Sequence, residues 1–218
     1  MDLPIEKILV NLETIIFISV VLMNLVKKNS HLVGLYVAES LALVGMLTLD
    51  GILRSSWELI FVAIIVFLVK VIFAPYFFYR FLSRSKLNLL TSTYLNIPTT
   101  LVVIVAIVFF TNSDILEPLN SFIYSKTSFP MMLLGSVFIS IFILINRKGS
   151  LSQIIGILSV ENAIAAFGIL IGFTQGFAIE AGIVFNILVW IVLAIIFLEL
   201  IYRKLGTVDV TKLNKLKK

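Results

Sequence analysis

The chain contains no cysteine and one histidine, His31. Without thiols it cannot form a disulfide, ligate an iron–sulfur cluster through cysteine or present a cysteine nucleophile. With one imidazole it cannot build a bis-histidine haem or a multi-histidine metal site from its own residues. Charge is scarce too: 13% of the 218 residues are charged, where soluble domains carry about 25%. No stretch is polar enough for a separate soluble domain, so one membrane domain, 1–218, is expected. The start, Met1-Asp2-Leu3-Pro4, lacks the basic region of a cleaved leader, and the first apolar segment is expected in the mature protein. Phosphate loops, catalytic triads and metal-ligand spacings are missing. No catalytic, cofactor-binding or metal-ligating residue is assigned within the chain.

Apolar sequence is what the chain has in abundance: 60% of residues are hydrophobic and the mean hydropathy is +1.13. A spanning helix needs roughly 20 mostly apolar residues. Seven segments qualify: 9–26, 32–52, 57–80, 94–111, 130–146, 152–174 and 178–202. The expected fold is an all-α, polytopic transmembrane helix bundle of about seven spans with a polar tail, 203–218. Polar or turn-forming breaks separate the spans, among them Lys27-Lys28-Asn29-Ser30 and Asn146-Arg147-Lys148-Gly149-Ser150. The longest loop, 111–129, contains Pro118 and has room for a short interfacial helix.

The basic residues fall on one side. Lys27, Lys28, Arg80, Arg84, Lys86, Arg147, Lys148, Arg203, Lys204, Lys212, Lys215, Lys217 and Lys218 share it, thirteen against Lys7, Arg54 and Lys126. The positive-inside rule puts that side and the C-terminus in the cytoplasm. Seven spans then leave the N-terminus outside, and the expected location is the cell membrane. The net charge of +5 is a topology signal rather than a nucleic-acid surface, because no basic stripe with interleaved aromatics exists.

Two halves are alike. Each has an apolar span, a basic turn and a span with glycine five residues before a glutamate: Gly34 and Glu39, then Gly156 and Glu161. Both units cross in the same direction, which suggests a parallel repeat of three spans, 9–80 and 130–202, with 94–111 as spacer.

Glu39 and Glu161 each lie well inside an apolar run, where a carboxylate costs at least a few kcal/mol unless neutralised or paired. Intramembrane carboxylates are ion-path candidates by default; a protonated acid that only donates an interhelical hydrogen bond is the alternative. Ala165, Gly168 and Gly172 share a helix face with Glu161. Gly168, Gly172 and Gly176 repeat at four-residue spacing and permit close helix packing. Lys70 is the third intramembrane charge, five residues before Pro75, where the helix should kink because proline cannot donate to the carbonyl of Val71. Lys70 reads equally as a proton relay or as a structural partner of Glu39. Glu180 and Asn186 open the last span as second-tier candidates; Glu180 also fits an interfacial helix-start charge.

On these residues the chain resembles a known family. The span, basic turn, Ile-Gly-Ile-Leu-Ser-Val-Glu161-Asn-Ala and final span are similar to the K-type membrane subunit of complex I and of multisubunit cation/proton antiporters. The whole chain resembles the longer relatives of that subunit, hydrogenase-4 component E of formate hydrogenlyase-type complexes. Leu-Val-Lys70-Val-Ile-Phe-Ala-Pro75 and Arg203-Lys-Leu-Gly206-Thr-Val-Asp209-Val add to the likeness. Asn186 stands roughly where the K-type subunit carries a second glutamate. The resemblance implies a non-catalytic subunit that joins a membrane anchor to antiporter-like subunits and lends Glu161, Glu39 and Lys70 to a proton or sodium path. It implies no cofactor here; iron–sulfur clusters and a nickel–iron site would belong to partner subunits of a hydrophilic hydrogenase module. An antiporter subunit, a stand-alone solute transporter and a purely structural scaffold are the alternatives.

Overall fold

A computed structural model describes residues 3–84, 92–116 and 130–171. The expected seventh span, 178–202, with Gly172, Gly176, Glu180, Asn186 and the tail, lies outside the described residues. Those described form helices α1 (Leu3–Leu25), α2 (Asn29–Leu53), α3 (Trp57–Val66), α4 (Ala74–Arg84), α5 (Ile97–Thr111), α6 (Pro130–Asn146) and α7 (Ser150–Leu170), and no strand. Between α3 and α4, Phe67–Phe73 forms a π-helical segment, so one continuous helix runs from 57 to 84. Among the described residues four helices are long and apolar enough to cross a membrane: Ile5–Leu25, Asn29–Leu53, Trp57–Ser83 and Ser150–Leu170. Helices α5 and α6 are apolar but shorter, at 15 and 17 residues.

The helix boundaries follow local chemistry. Ser56 caps α3 by accepting from the Leu59 N–H, and Asn96 caps α5 by accepting from the Thr99 N–H just ahead of Pro98. Ser55, at φ 52°, turns the chain between α2 and α3. Arg147, which the sequence presents as a basic loop flank, is wholly buried. Its guanidinium donates to the carbonyls of Met23 and, at 2.7 Å, Val26. It thereby satisfies carbonyls that the end of α1 leaves without intrahelical donors. Burial pulls the guanidinium down to about 10, so it remains cationic at neutral pH.

Helices α1 and α2 form one antiparallel hairpin and α6 and α7 another. They pack side by side, α1 against α6 and α2 against α7. The π segment and its flanking helices lean on α2, and α5 leans on α6 and α1. Two of the contacts are close. A Cβ built on Gly156 would lie 2.7 Å from Leu144 Cδ2, and one on Gly45 would lie 3.1 Å from Leu12 Cδ2. Glycine at these positions lets α7 approach α6 and α2 approach α1. By contrast, a Cβ on Gly168 would meet nothing within 4 Å among the described residues.

The interior is divided by depth. One apolar cluster lies toward the basic turns and includes Val20, Met23, Leu32, Tyr36, Phe78, Ile143, Ile155 and Leu158. A second lies toward the opposite end and includes Leu9, Ile16, Leu43, Met46, Val62, Leu133, Ala166 and Leu170. On every inward-facing helix the residues between the two clusters include polar ones: Ser19 on α1, Glu39 and Ser40 on α2, Ser136 on α6, Ser159 and Asn162 on α7; Ser140 on α6 is buried just past Ile139, at the edge of the first cluster. Lys70, on the π segment, joins this layer.

A candidate ion site at mid-depth

The mid-depth layer is built on small polar side chains that single helices cannot satisfy. Lys70 is 2% exposed, and its Nζ donates to Asn162 Oδ1 at 2.7 Å. The Asn162 amide donates in turn to Ser40 Oγ at 3.0 Å. Lys70 Nζ also lies 3.7 Å from Glu161 Oε2, an ion-pair separation beyond hydrogen-bond reach. Three helical segments, the π segment, α7 and α2, are thus tied by one ammonium and one amide.

A second branch runs through Glu39, which has no solvent exposure. Ser159 Oγ donates to Glu39 Oε1 at 3.0 Å and is itself 3.0 Å from Ser140 Oγ on α6. Among the described residues, the buried Glu39 Oε2 has no hydrogen-bond partner. Both carboxylates are within electrostatic reach of Lys70. Glu39 and Ser40 are adjacent on α2, and Ser159 and Asn162 are neighbours on one face of α7, so the two branches share both helices. Chemically, the arrangement offers two carboxylates, one ammonium and a chain of hydroxyl and amide groups, all between two apolar layers. Such groups can bind, hold and pass a proton or a small monovalent cation.

The π segment explains how Lys70 reaches Asn162. The lysine and proline spacing predicts a kink after Lys70. Here the helix widens through Phe67–Phe73, with the N–H at Ala74 donating to the Val69 carbonyl, five residues back. The wider turn lies immediately ahead of Pro75, whose missing N–H a regular helix would leave opposite the Val71 carbonyl. One extra residue in the turn changes the direction of the side chains on either side of it.

The three charges picked from the sequence, Glu39, Lys70 and Glu161, come together, but in a different pairing. Lys70 partners Glu161 and Asn162; no ion pair forms with Glu39. Glu161 lies at the edge of the layer, its side chain 26% exposed, while Glu39 is wholly enclosed. The buried face of α7 runs through Ser159, Asn162, Ala163 and Ala166, one step round from the Ala165–Gly168 stripe. Sequence reasoning missed Asn162, Ser159, Ser140 and Ser40. The Glu161-Asn162 dipeptide was the one available signal, since it sets an amide beside the carboxylate. It also missed Glu13 on α1, which is fully buried. Compared with protein-family models, curated proteins and solved structures, the chain matches none.

Proposed function

We propose that the chain is a non-catalytic membrane subunit of an energy-converting hydrogenase or a related complex-I-like assembly, and that it lends buried charges to a proton or sodium path. The observation that supports the ion path is the polar layer of Glu39, Lys70, Glu161 and Asn162, enclosed between two apolar clusters. A bundle stabilised only by packing would gain nothing from three ionisable groups at that depth, each costing a few kcal/mol. The hydrogenase assignment rests on the resemblance of the whole chain to hydrogenase-4 component E, to which Leu-Val-Lys70-Val-Ile-Phe-Ala-Pro75 adds, with the Ile-Gly-Ile-Leu-Ser-Val-Glu161-Asn-Ala segment similar to the related K-type subunit. In this reading the bundle has seven spans in a parallel three-span repeat, with the N-terminus outside and the C-terminus in the cytoplasm of a cell membrane. Redox centres sit in partner subunits, and antiporter-like subunits continue the ion path.

Affinity purification of the tagged chain from its own membranes tests the partners. Co-purification with antiporter-like subunits and an iron–sulfur-containing hydrogenase module is expected, with no redox activity in the chain alone. Antiporter-like partners without any redox subunit would move the assignment to a cation/proton antiporter. Recovery of the chain alone, active in solute transport, would refute both.

A further inference from the structure

Two interior serines use their hydroxyls differently from their neighbours. A serine or threonine inside a helix ordinarily returns its hydroxyl to a carbonyl of the preceding turn. Thr14, Thr48 and Ser136 do so, donating to the carbonyls of Val10, Val44 and Met132 at 2.7, 2.8 and 3.0 Å. Ser140 and Ser159, both without solvent exposure, reach across helix interfaces. Their oxygens lie 3.0 Å apart, and Ser159 Oγ donates to Glu39 Oε1 at 3.0 Å. A hydroxyl has one proton to donate. Because Ser159 directs its own at Glu39, the bond between the serines runs from Ser140 to Ser159. The file therefore has one direction, Ser140 to Ser159 to Glu39, across α6, α7 and α2. It also changes depth. Ser140 lies seven residues before Arg147, and Glu39 lies eleven after Lys28. At 1.5 Å per residue the Ser140 end is about 6 Å nearer the basic turns. There Asn24, one residue from the end of α1, donates through its amide to the carbonyl of Ile139, the residue before Ser140, at 3.3 Å. Asn24 Oδ1 is buried and has no hydrogen-bond partner among the described residues, so an acceptor open to a further donor stands at that end of the file.

From this geometry we propose that the Ser140 and Ser159 hydroxyls are the route by which a proton reaches Glu39 from the side of the basic turns. This rests on the ion-path reading above and deepens it, because it names the carried ion as a proton. In one transfer Glu39 Oε1 takes the Ser159 proton, Ser159 takes the Ser140 proton, and Ser140 takes one from an acid of the aqueous phase on that side. Each serine breaks one O–H bond and forms one, so one proton arrives at Glu39 and neither serine is left charged. A protonated Glu39 can donate to Ser159 in turn, and the same two hydroxyls then face the other way. Sodium does not suit the file. A hard cation needs several oxygen ligands at once. The Ser159 oxygen is engaged with Ser140 and Glu39, and Asn162 Oδ1 and Glu161 Oε2 already face the Lys70 ammonium.

The test measures redox-driven proton and sodium uptake, per electron transferred, in membrane vesicles containing the intact complex. Ser140→Ala and Ser159→Ala are each expected to lose most of the proton uptake. The double variant should lose no more than either single, because the two hydroxyls act in series. Threonine and valine share a shape, so Ser159→Thr and Ser159→Val isolate the hydroxyl: threonine should keep most of the uptake and valine should lose it. Serines that only hold helices together would leave uptake per electron unchanged in the alanine variants and equal in the threonine and valine pair, and either result would overturn the proposal. Wild-type uptake in both alanine variants, with uptake lost in Glu39→Gln, would overturn the file and leave the path standing. Wild-type uptake in Glu39→Gln as well would overturn the path. Sodium uptake in place of proton uptake by the wild-type complex would overturn the choice of ion and the hydroxyl route with it.

Discussion

Lys70 and its partners set the energetics at the scale of single residues. Removing one member of a buried ion pair leaves the other uncompensated, whereas removing both is often nearly neutral. Lys70→Met should therefore destabilise the bundle more than Lys70→Met combined with Glu161→Gln. The loss should fall below the ~3–5 kcal/mol of a wholly enclosed pair, because the Glu161 side chain is 26% exposed. Unfolding titrations in detergent, run on both singles and the double, give the coupling directly. Asn162 makes a sharper case. It accepts from Lys70 and donates to Ser40, so Asn162→Leu strands two groups and should cost about 1–3 kcal/mol. Among the described residues the Ser136 hydroxyl bonds the Met132 carbonyl of its own helix and no other helix, so Ser136→Ala should be close to neutral in the same assay. Equal costs would mean that the interhelical bonds add nothing.

Helices divide in the same way between what sequence patterns reveal and what only packing decides. The runs 57–80 and 130–146 announce α3–α4 and α6 because apolar length and polar breaks are local properties. A carboxylate inside such a run is conspicuous, which is why Glu39, Glu161 and Lys70 were legible. Serine and asparagine are ordinary in apolar helices, so Ser40, Ser140, Ser159 and Asn162 carried no signal until the four helices were brought together. Glu13 was missed for a different reason: in a span read as 9–26 it lies near the helix end and passes for an interfacial charge. Arg147 passed as a loop flank because a capping role depends on where α1 ends in space. The π segment has no sequence signature beyond Pro75. Glycines show the same limit. Gly156→Ala puts a Cβ 2.7 Å from Leu144 Cδ2, and overpacking of this kind costs about 1–3 kcal/mol. Gly168→Ala meets nothing within 4 Å among the described residues and should leave stability within about 0.5 kcal/mol of wild type. Thermal unfolding of the two variants in one detergent distinguishes them.

For the whole molecule, sidedness and charge can each be put to a test. The absence of native cysteine makes single introduced thiols unambiguous. Cysteines at Ser30, beside the basic turn that opens α2, and at Ser113, just past the end of α5, should label from opposite faces of intact membranes. Labelling of both from outside would refute the orientation drawn from the basic residues. The central proposal concerns charge: that the enclosed layer carries an ion and does more than hold helices together. It is tested most directly by redox-driven ion uptake into vesicles bearing the Glu39→Gln and Glu161→Gln complexes, compared with wild type at equal chain content. Both substitutions keep the side-chain shape and hydrogen bonding while removing titration. Normal assembly, largely retained electron transfer and loss of most of the coupled uptake are expected in each variant; wild-type uptake per electron transferred in both would show that the two carboxylates are only structural.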